Sequence, residues 1–156
     1  MSGEGDGDEG DGGGVALPRF RGDRLLAARE AAGLSREDLT LALDLSSPFR
    51  IRQWELGHER PRPRFVPLLA EALTIAPLQL LDVDPDDPPL AALRIAAGLT
   101  TEQLNAPGMS GQSFMRLEDG RLNMPLPDRI ELIASALGVD ARRVEAAIRR
   151  SRTDRT

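Results

Sequence analysis

The chain of 156 residues has no cysteine, one histidine and no lysine, which excludes a disulfide framework and leaves few groups for acid–base or covalent catalysis. Its apolar content is 40% but its aromatic content is only 3%, so the core must consist of Leu, Ala, Ile and Val. No apolar run approaches the roughly 20 residues of a membrane span, and no basic and apolar leader opens the chain. We therefore expect a cytoplasmic, non-enzymatic protein with no metal, no cofactor and no membrane partner.

Residues 1–14 carry the whole charge imbalance of the chain. The net charge is −5, and the rest of the sequence balances 20 arginines against 20 acids. A glycine-rich acidic stretch with nothing apolar to bury is typical of disorder. Two interpretations stay open, a solubilising leader and an acidic arm that competes with nucleic acid for basic surface. The acids of this segment are Glu4, Asp6, Asp8, Glu9 and Asp11.

One short segment of the sequence occurs twice in similar form. "AAGLSREDL" at 31–39 returns as "AAGLTTEQL" at 96–104. In both copies an apolar helical pattern leads to a glycine, Gly33 or Gly98, which supplies the left-handed turn that ends a helix. A Ser or Thr then stands at a helix-cap position, followed three residues later by a side chain that can return a hydrogen bond. The pattern predicts two short helices packed at an angle.

The two copies remain similar beyond this segment. "WELG" at 54–57 lines up with "LEDG" at 117–120, and two later segments show apolar residues at the same helical spacing. We therefore predict an all-α fold of two tandem five-helix domains, with Trp54 in the core of the first. The predicted organisation is a disordered acidic tail (1–14), a first domain (15–83), a Pro/Asp linker (84–89), a second, degenerate domain (90–151) and a disordered C-terminus (152–156).

These motifs resemble the lambda-repressor-like helix-turn-helix family, also called the XRE family. The first copy follows the family pattern over residues 24–82 and the second over 90–148. The resemblance implies that the protein binds double-stranded DNA, with the second helix across the backbone and the third in the major groove. Carried onto this chain, the second helix runs over about 35–43 and the recognition helix over about 47–56.

The resemblance also indicates which side chains meet base edges. Arg50 suits a two-point contact with guanine, Gln53 suits adenine, and Phe49 suits a thymine methyl group. Proline is favoured as the first residue of a helix, which makes Ser47 the expected cap. The predicted base contacts are Ser47, Pro48, Phe49, Arg50 and Gln53.

The turn before the recognition helix leaves one alternative open. The chain has one residue more than the family pattern between Leu39 and the cap, and Asp44 stands where a turn glycine is usual. If Ser46 is the cap instead, Ser47 and Pro48 move toward the bases.

Phosphate contacts are expected on both sides of the recognition helix. Five arginines oppose two glutamates from Arg50 to Arg64, which gives this stretch a local charge of +3. Such charge positions a protein on DNA without reading its sequence. The predicted phosphate contacts are Arg36, Arg52, His58, Arg60, Arg62 and Arg64.

The second copy departs further from the pattern, because Pro107 and Gly108 shorten its second helix. Two interpretations stay open, a copy that now serves packing or self-association, and a second, weaker DNA contact. The basic final segment at 141–151 either packs with a solvated face, or binds phosphate or the acidic tail. The predicted second-domain DNA contacts are Thr101, Gln112, Ser113, Arg116 and Arg121.

Together these features predict a sequence-specific DNA-binding transcriptional regulator, a repressor that acts by occupying its site. Its partner would be double-stranded DNA, bound by a homodimer or by the two copies of one chain as a pseudo-dimer. The alternative is a protein-interaction module with little or no DNA binding, which would bind a sigma factor, toxin or phage protein through the second domain.

Overall fold

The computed structural model describes residues 17–104 and 109–155, so the predicted disorder of 1–14 and the effect of Pro107 and Gly108 lie outside the described residues. Within these ranges the regular structure is helical, and none of the helices is long and apolar enough to cross a membrane. An isolated antiparallel bridge joins Phe20 to Leu81. The α-helices are α1 (Gly22–Ala31), α2 (Arg36–Ala42), α3 (Phe49–Leu56), α4 (Phe65–Leu73), α5 (Leu90–Ala96), α6 (Gly111–Glu118), α7 (Pro127–Leu137) and α8 (Ala141–Arg155), with 3₁₀ turns at Pro77–Leu80 and Thr101–Gln103.

The repeated segment folds as the end of one helix followed by the capped start of the next. Gly33 has a φ of +72°, and Ser35 then exchanges two hydrogen bonds with Asp38, through its hydroxyl at 3.0 Å and its N–H at 2.8 Å. Gly98 has a φ of +81°, and the N–H of Thr100 donates to the side chain of Gln103 at 2.9 Å. The predicted helix end and capped helix start are confirmed in the first copy, whereas in the second a single 3₁₀ turn replaces the α-helix.

The turn between α2 and α3 shows how the chain accommodates its extra residue. Asp44 adopts a left-handed φ of +56°, the conformation that glycine otherwise supplies. The N–H of Phe49 donates to the hydroxyl of Ser47 at 3.0 Å, and Pro48 already has helical dihedral angles. The structure therefore favours Ser47 as the cap over Ser46.

The structure has two apolar cores, one built from the first half of the chain and one built from the second half together with Leu78 and Leu81. In the first, Trp54 is 1% exposed and lies with its ring centroid 5.3 Å from that of Phe65, which confirms its predicted core position. In the second, Leu117 takes the matching place and is also buried. The cores meet, because Phe20 and Ile95 pack against both of them.

The segment predicted as a linker packs against α8. Pro88 and Pro89 are buried, and Asp87 accepts a hydrogen bond from Arg150 at 2.8 Å. The buried hydroxyl of Ser151 accepts from the N–H of Leu90 at 3.0 Å and so caps the start of α5. These contacts fasten the last turns of α8 to the second half of the chain.

The C-terminus differs from its prediction. Residues 152–155, which the sequence predicts as disordered, continue α8 to Arg155. The physical reason is local, because Arg150 pairs with Asp154 one turn on at 2.9 Å and Ser151 is fully buried.

A glycine allows α1 to lie directly on α3. A Cβ atom added at Gly22 would lie 2.1 Å from the carbonyl oxygen of Trp54. Helix propensity alone would make Gly22→Ala stabilising by up to about 1 kcal/mol. We expect the opposite sign, a loss of about 1–3 kcal/mol in the free energy of unfolding, because the two helices must separate. Urea denaturation measures the change, and a stabilised variant would contradict this account.

Candidate nucleic-acid interface

A buried ion pair holds the helices of the first half in place. Glu55 of α3 has a side chain that is 1% exposed, and it binds the guanidinium of Arg29 from α1 at 2.6 Å. The same guanidinium donates to the carbonyl oxygen of Leu34 at 3.0 Å, and Arg36 of α2 binds Glu55 at 2.9 Å. One carboxylate therefore ties α1, the turn after it and α2 to the recognition helix.

The second half repeats the contacts of Arg29 with Glu55 and Leu34 atom for atom, but Thr101 stands where Arg36 would add a second cation. Nε and Nη2 of Arg94 donate to the two carboxylate oxygens of Glu118, and Nη1 donates to the carbonyl of Leu99 at 3.0 Å. Burial raises the pKa of Glu118, and the bonds from Arg94 oppose that rise. In the repeated pattern Arg94 corresponds to Arg29 and Glu118 to Glu55, but the pairing of each arginine with its glutamate was not predicted from the sequence. The signal was present, because an arginine precedes each repeated glycine by four residues and a glutamate recurs near the end of each third helix.

One face of α3 points away from the core. Ile51, Trp54 and Glu55 point inward, and the opposite face repeats at helical spacing. Phe49 is 58% exposed and Leu56 50%, which is unusual for large apolar side chains. We call this the recognition face, and it consists of Phe49, Arg52, Gln53 and Leu56.

Arg50 lies off this face. Its guanidinium carbon is 5.4 Å from the ring centroid of Trp54 and 5.3 Å from that of Phe65, a cation–π arrangement against the core. Ser47 and Pro48 are half-buried at the start of the helix. The structure thus brings Phe49 and Gln53 together on the recognition face and puts Arg52, a predicted phosphate contact, beside them.

The loop after α3 is basic and exposed. We call "HERPRPR" at 58–64 the basic loop, and its three arginines and His58 are all exposed. Arg64 lies with its guanidinium 4.3 Å from the ring of Phe65. Arg52, Arg60 and Arg62 form no ion pair within the described part of the chain, so their charges remain available. Arg36, by contrast, is already bound to Glu55.

A polar cleft of about 280 Å³ lies beside the basic loop. It brings the N-terminal end of the described chain against the end of α3 and the start of the loop. Its lining residues are Arg19, Phe20, Trp54, Gly57, His58, Glu59 and Arg60.

The third helix of the second half has the same plan with a different surface. Ser110 caps α6 by accepting from the N–H of Ser113 at 3.2 Å. A Cβ at Gly111 would lie 2.6 Å from the carbonyl oxygen of Thr101, so this glycine lets the 3₁₀ turn approach α6. Gln112 and Arg116 are exposed, Ser113 and Thr101 are half-buried, and Arg121 lies 3.7 Å from Asp119.

Comparison with known proteins identifies part of this architecture. Residues 90–147 match the family model described as a helix-turn-helix domain, and this match falls on the copy that departs further from the repeated pattern. No curated protein and no solved structure matches the chain significantly. Domains of this family are typically non-enzymatic DNA-binding modules. The regular structure of the described ranges is helical, and residues 90–147 are thus similar to a helix-turn-helix domain, a module typical of DNA-binding regulators.

Proposed function

We propose that the protein is a sequence-specific double-stranded DNA-binding transcriptional regulator of the lambda-repressor-like (XRE) kind, and that it represses by occupying its site. The observation that carries the proposal is the recognition face of α3 next to the unpaired charges of the basic loop. The amide of Gln53 and the guanidinium of Arg52 are well solvated in water, whereas Phe49 and Leu56 leave apolar surface exposed that contact with a partner would bury.

The three chemical types on this face match what the major groove offers. The ring of Phe49 suits the methyl group of thymine, and the amide of Gln53 suits the paired donor and acceptor of adenine. The unpaired guanidinium of Arg52 suits the two acceptors of guanine, a role that Arg50 takes only if it leaves the aromatic rings. Ser47 and Pro48 lie at the end of α3 that would enter the groove first.

The basic loop supplies the sequence-independent part of the binding. Each arginine that neutralises a phosphate releases a counterion, so affinity falls with rising salt concentration. Within residues 50–64 the buried carboxylate of Glu55 is already neutralised by two arginines, which leaves Glu59 as the exposed acid of the stretch. The surface is therefore more basic than the local sequence charge of +3 indicates.

We further propose that the chain consists of two tandem five-helix domains, at 15–83 and 90–151, and acts as a built-in pseudo-dimer. The two buried Arg–Glu pairs support a common plan. In each pair the arginine also donates a hydrogen bond to the carbonyl of the residue five positions later, Leu34 or Leu99. Gln112 and Arg116 of α6 stand one helical turn apart and are exposed, as a second reading surface requires. Two different recognition helices in one chain would address one asymmetric site.

Fluorescence anisotropy with duplexes from upstream of the protein's own coding sequence, followed by selection from random duplexes, tests the proposal. We expect one sequence to bind tightly and the affinity to fall steeply between about 50 mM and about 300 mM salt. For the variant Arg60→Gln/Arg62→Gln, the slope of log affinity against log salt should fall by about 2, because two phosphate contacts are lost. The control is Arg129→Gln on the exposed part of α7, which should leave the slope unchanged.

Failure of the proposal has a defined form. If no duplex is preferred and the Arg60/Arg62 substitutions do not change the salt slope, DNA reading is wrong. A partner retained in a pull-down after nuclease treatment would then support the protein-interaction module. Binding only to palindromic sites, by two chains that each use α3, would contradict the pseudo-dimer alone.

A further inference from the structure

The described chain begins close to the basic loop. Leu17, the first described residue, is 54% exposed. Two residues later, Arg19 lines the same cleft as His58 and Arg60. Whatever precedes Leu17 therefore leaves the fold next to the positive charges that follow the recognition helix.

The charges on the two sides are opposite and unmatched. Residues 1–14 hold five carboxylates and no base. Arg19, Arg52, Arg60 and Arg62 have no ion-pair partner in the ranges that the structure describes. Each side thus lacks the counter-charge that the other carries.

The length of the segment is sufficient for contact. Because an extended chain spans at most about 3.5 Å per residue, the six steps from Asp11 to Leu17 cover up to about 20 Å. The steps back to Glu4 roughly double that reach. A tethered segment also acts at an effective concentration on the order of millimolar, so individually weak ion pairs suffice for occupancy.

We propose that the acidic segment occupies the basic loop in the free protein and competes there with the phosphates of DNA. The inference rests on the proposed function and adds its regulation. The segment suppresses binding to random duplex most, because such binding depends on phosphate contacts alone. Specific sites, which add base contacts through α3, displace it more easily.

The other basic surface of the chain is less suited to this role. On α8, Arg150 pairs with Asp87 and Asp154, and Arg149 pairs with Glu145. Those charges are partly satisfied, and no described contact brings the N-terminal end of the chain to α8. Arg142, Arg143 and Arg152 of α8 form no ion pair within the described ranges either, so the difference between the two surfaces is the proximity of the basic loop to Arg19.

Binding to a random-sequence duplex tests the competition. At about 50 mM salt, we expect a variant in which the five acids of residues 1–14 are neutralised at constant chain length to bind the random duplex about tenfold more tightly than the parent. At about 500 mM salt this gain in affinity should vanish. In a background with Arg60, Arg62 and Arg64 changed to Gln, the gain should disappear. In a matched background with Arg142, Arg143 and Arg152 changed to Gln, it should remain. The neutralised variant is E4Q/D6N/D8N/E9Q/D11N.

A measurement without DNA separates this inference from the proposed function. The chain has a single histidine, so His58 gives one isolated imidazole signal in the basic loop. We expect that signal and the amide signals of the loop to differ between the parent and the neutralised variant at low salt, with no matching change on α8. Loop shifts without any DNA binding would support the contact while the proposed function fails.

Three results would overturn the inference. Neutralisation could raise the affinity equally in both arginine backgrounds, which would mean general charge repulsion. The NMR shifts could fall on α8 instead of the loop. DNA could bind with the same affinity whether or not the acids are present.

Discussion

Arg94→Ala is expected to lower the free energy of unfolding by about 3–5 kcal/mol, the cost typical of leaving one partner of a buried ion pair alone. Glu118 would keep its burial and lose both of its charge-assisted hydrogen bonds. The carbonyl of Leu99 would lose its donor as well. Urea denaturation followed by circular dichroism measures the change.

Two control variants show whether the buried charge is the cause. Arg129→Ala removes an exposed arginine from the same half of the chain and should change stability by no more than about 0.5 kcal/mol. Arg94→Met/Glu118→Leu removes both charges at similar volume and should be far closer to the parent than Arg94→Ala. If Arg94→Ala resembles Arg129→Ala, the pair contributes nothing to stability.

The stability of Arg94→Ala is also expected to depend on pH in a definite direction. Burial raises the pKa of Glu118 above its usual 4.5, and without Arg94 nothing opposes that rise. The folded state then keeps a proton that the unfolded state releases, so stability falls as the pH rises from 4.5 through the folded pKa. The deficit of Arg94→Ala should therefore be smaller near about pH 5 than near about pH 8.

The helix plan could be predicted from sequence because local chemistry determines it. Gly33 ends a helix, Ser35 and Asp38 start the next, and Ser47 caps the third, each through contacts within a few residues along the chain. The segment 90–147 that matches the family model keeps an apolar pattern of the same local kind, since α5, α6 and α7 each bury apolar side chains in one core.

The buried ion pairs and the exact face of α3 could not be predicted in this way. From the sequence alone, Arg29 and Arg94 would be placed at the surface, because arginine is rarely buried unless it is paired. Their partners, Glu55 and Glu118, are more than 20 positions away along the chain. Successive helical residues differ by about 100° in direction, so Arg50 and Arg52 point to different sides of α3. Only the three-dimensional packing shows that the rings of Trp54 and Phe65 hold Arg50.

Arg52 and Arg50 therefore form a matched pair of substitutions with opposite expected results. Arg52→Ala removes an unpaired guanidinium from the recognition face, and losing a two-point base contact should cost about 1–3 kcal/mol of discrimination, roughly 5- to 150-fold in selectivity. Its stability should stay near that of the parent. Arg50→Ala removes a cation from two aromatic rings, so we expect a stability loss of about 0.5–2 kcal/mol and little change in selectivity.

The readouts are the affinity ratio between the selected duplex and random duplex, and urea denaturation of each variant. If Arg50→Ala loses selectivity while its fold stays stable, its guanidinium leaves the rings on DNA and reads bases, and the recognition face must be redrawn. If Arg52→Ala weakens binding equally on all duplexes, Arg52 is a phosphate contact. If Arg52→Ala loses selectivity and Arg50→Ala loses stability, the aromatic rings of the first half hold Arg50 and leave Arg52 free to reach the groove.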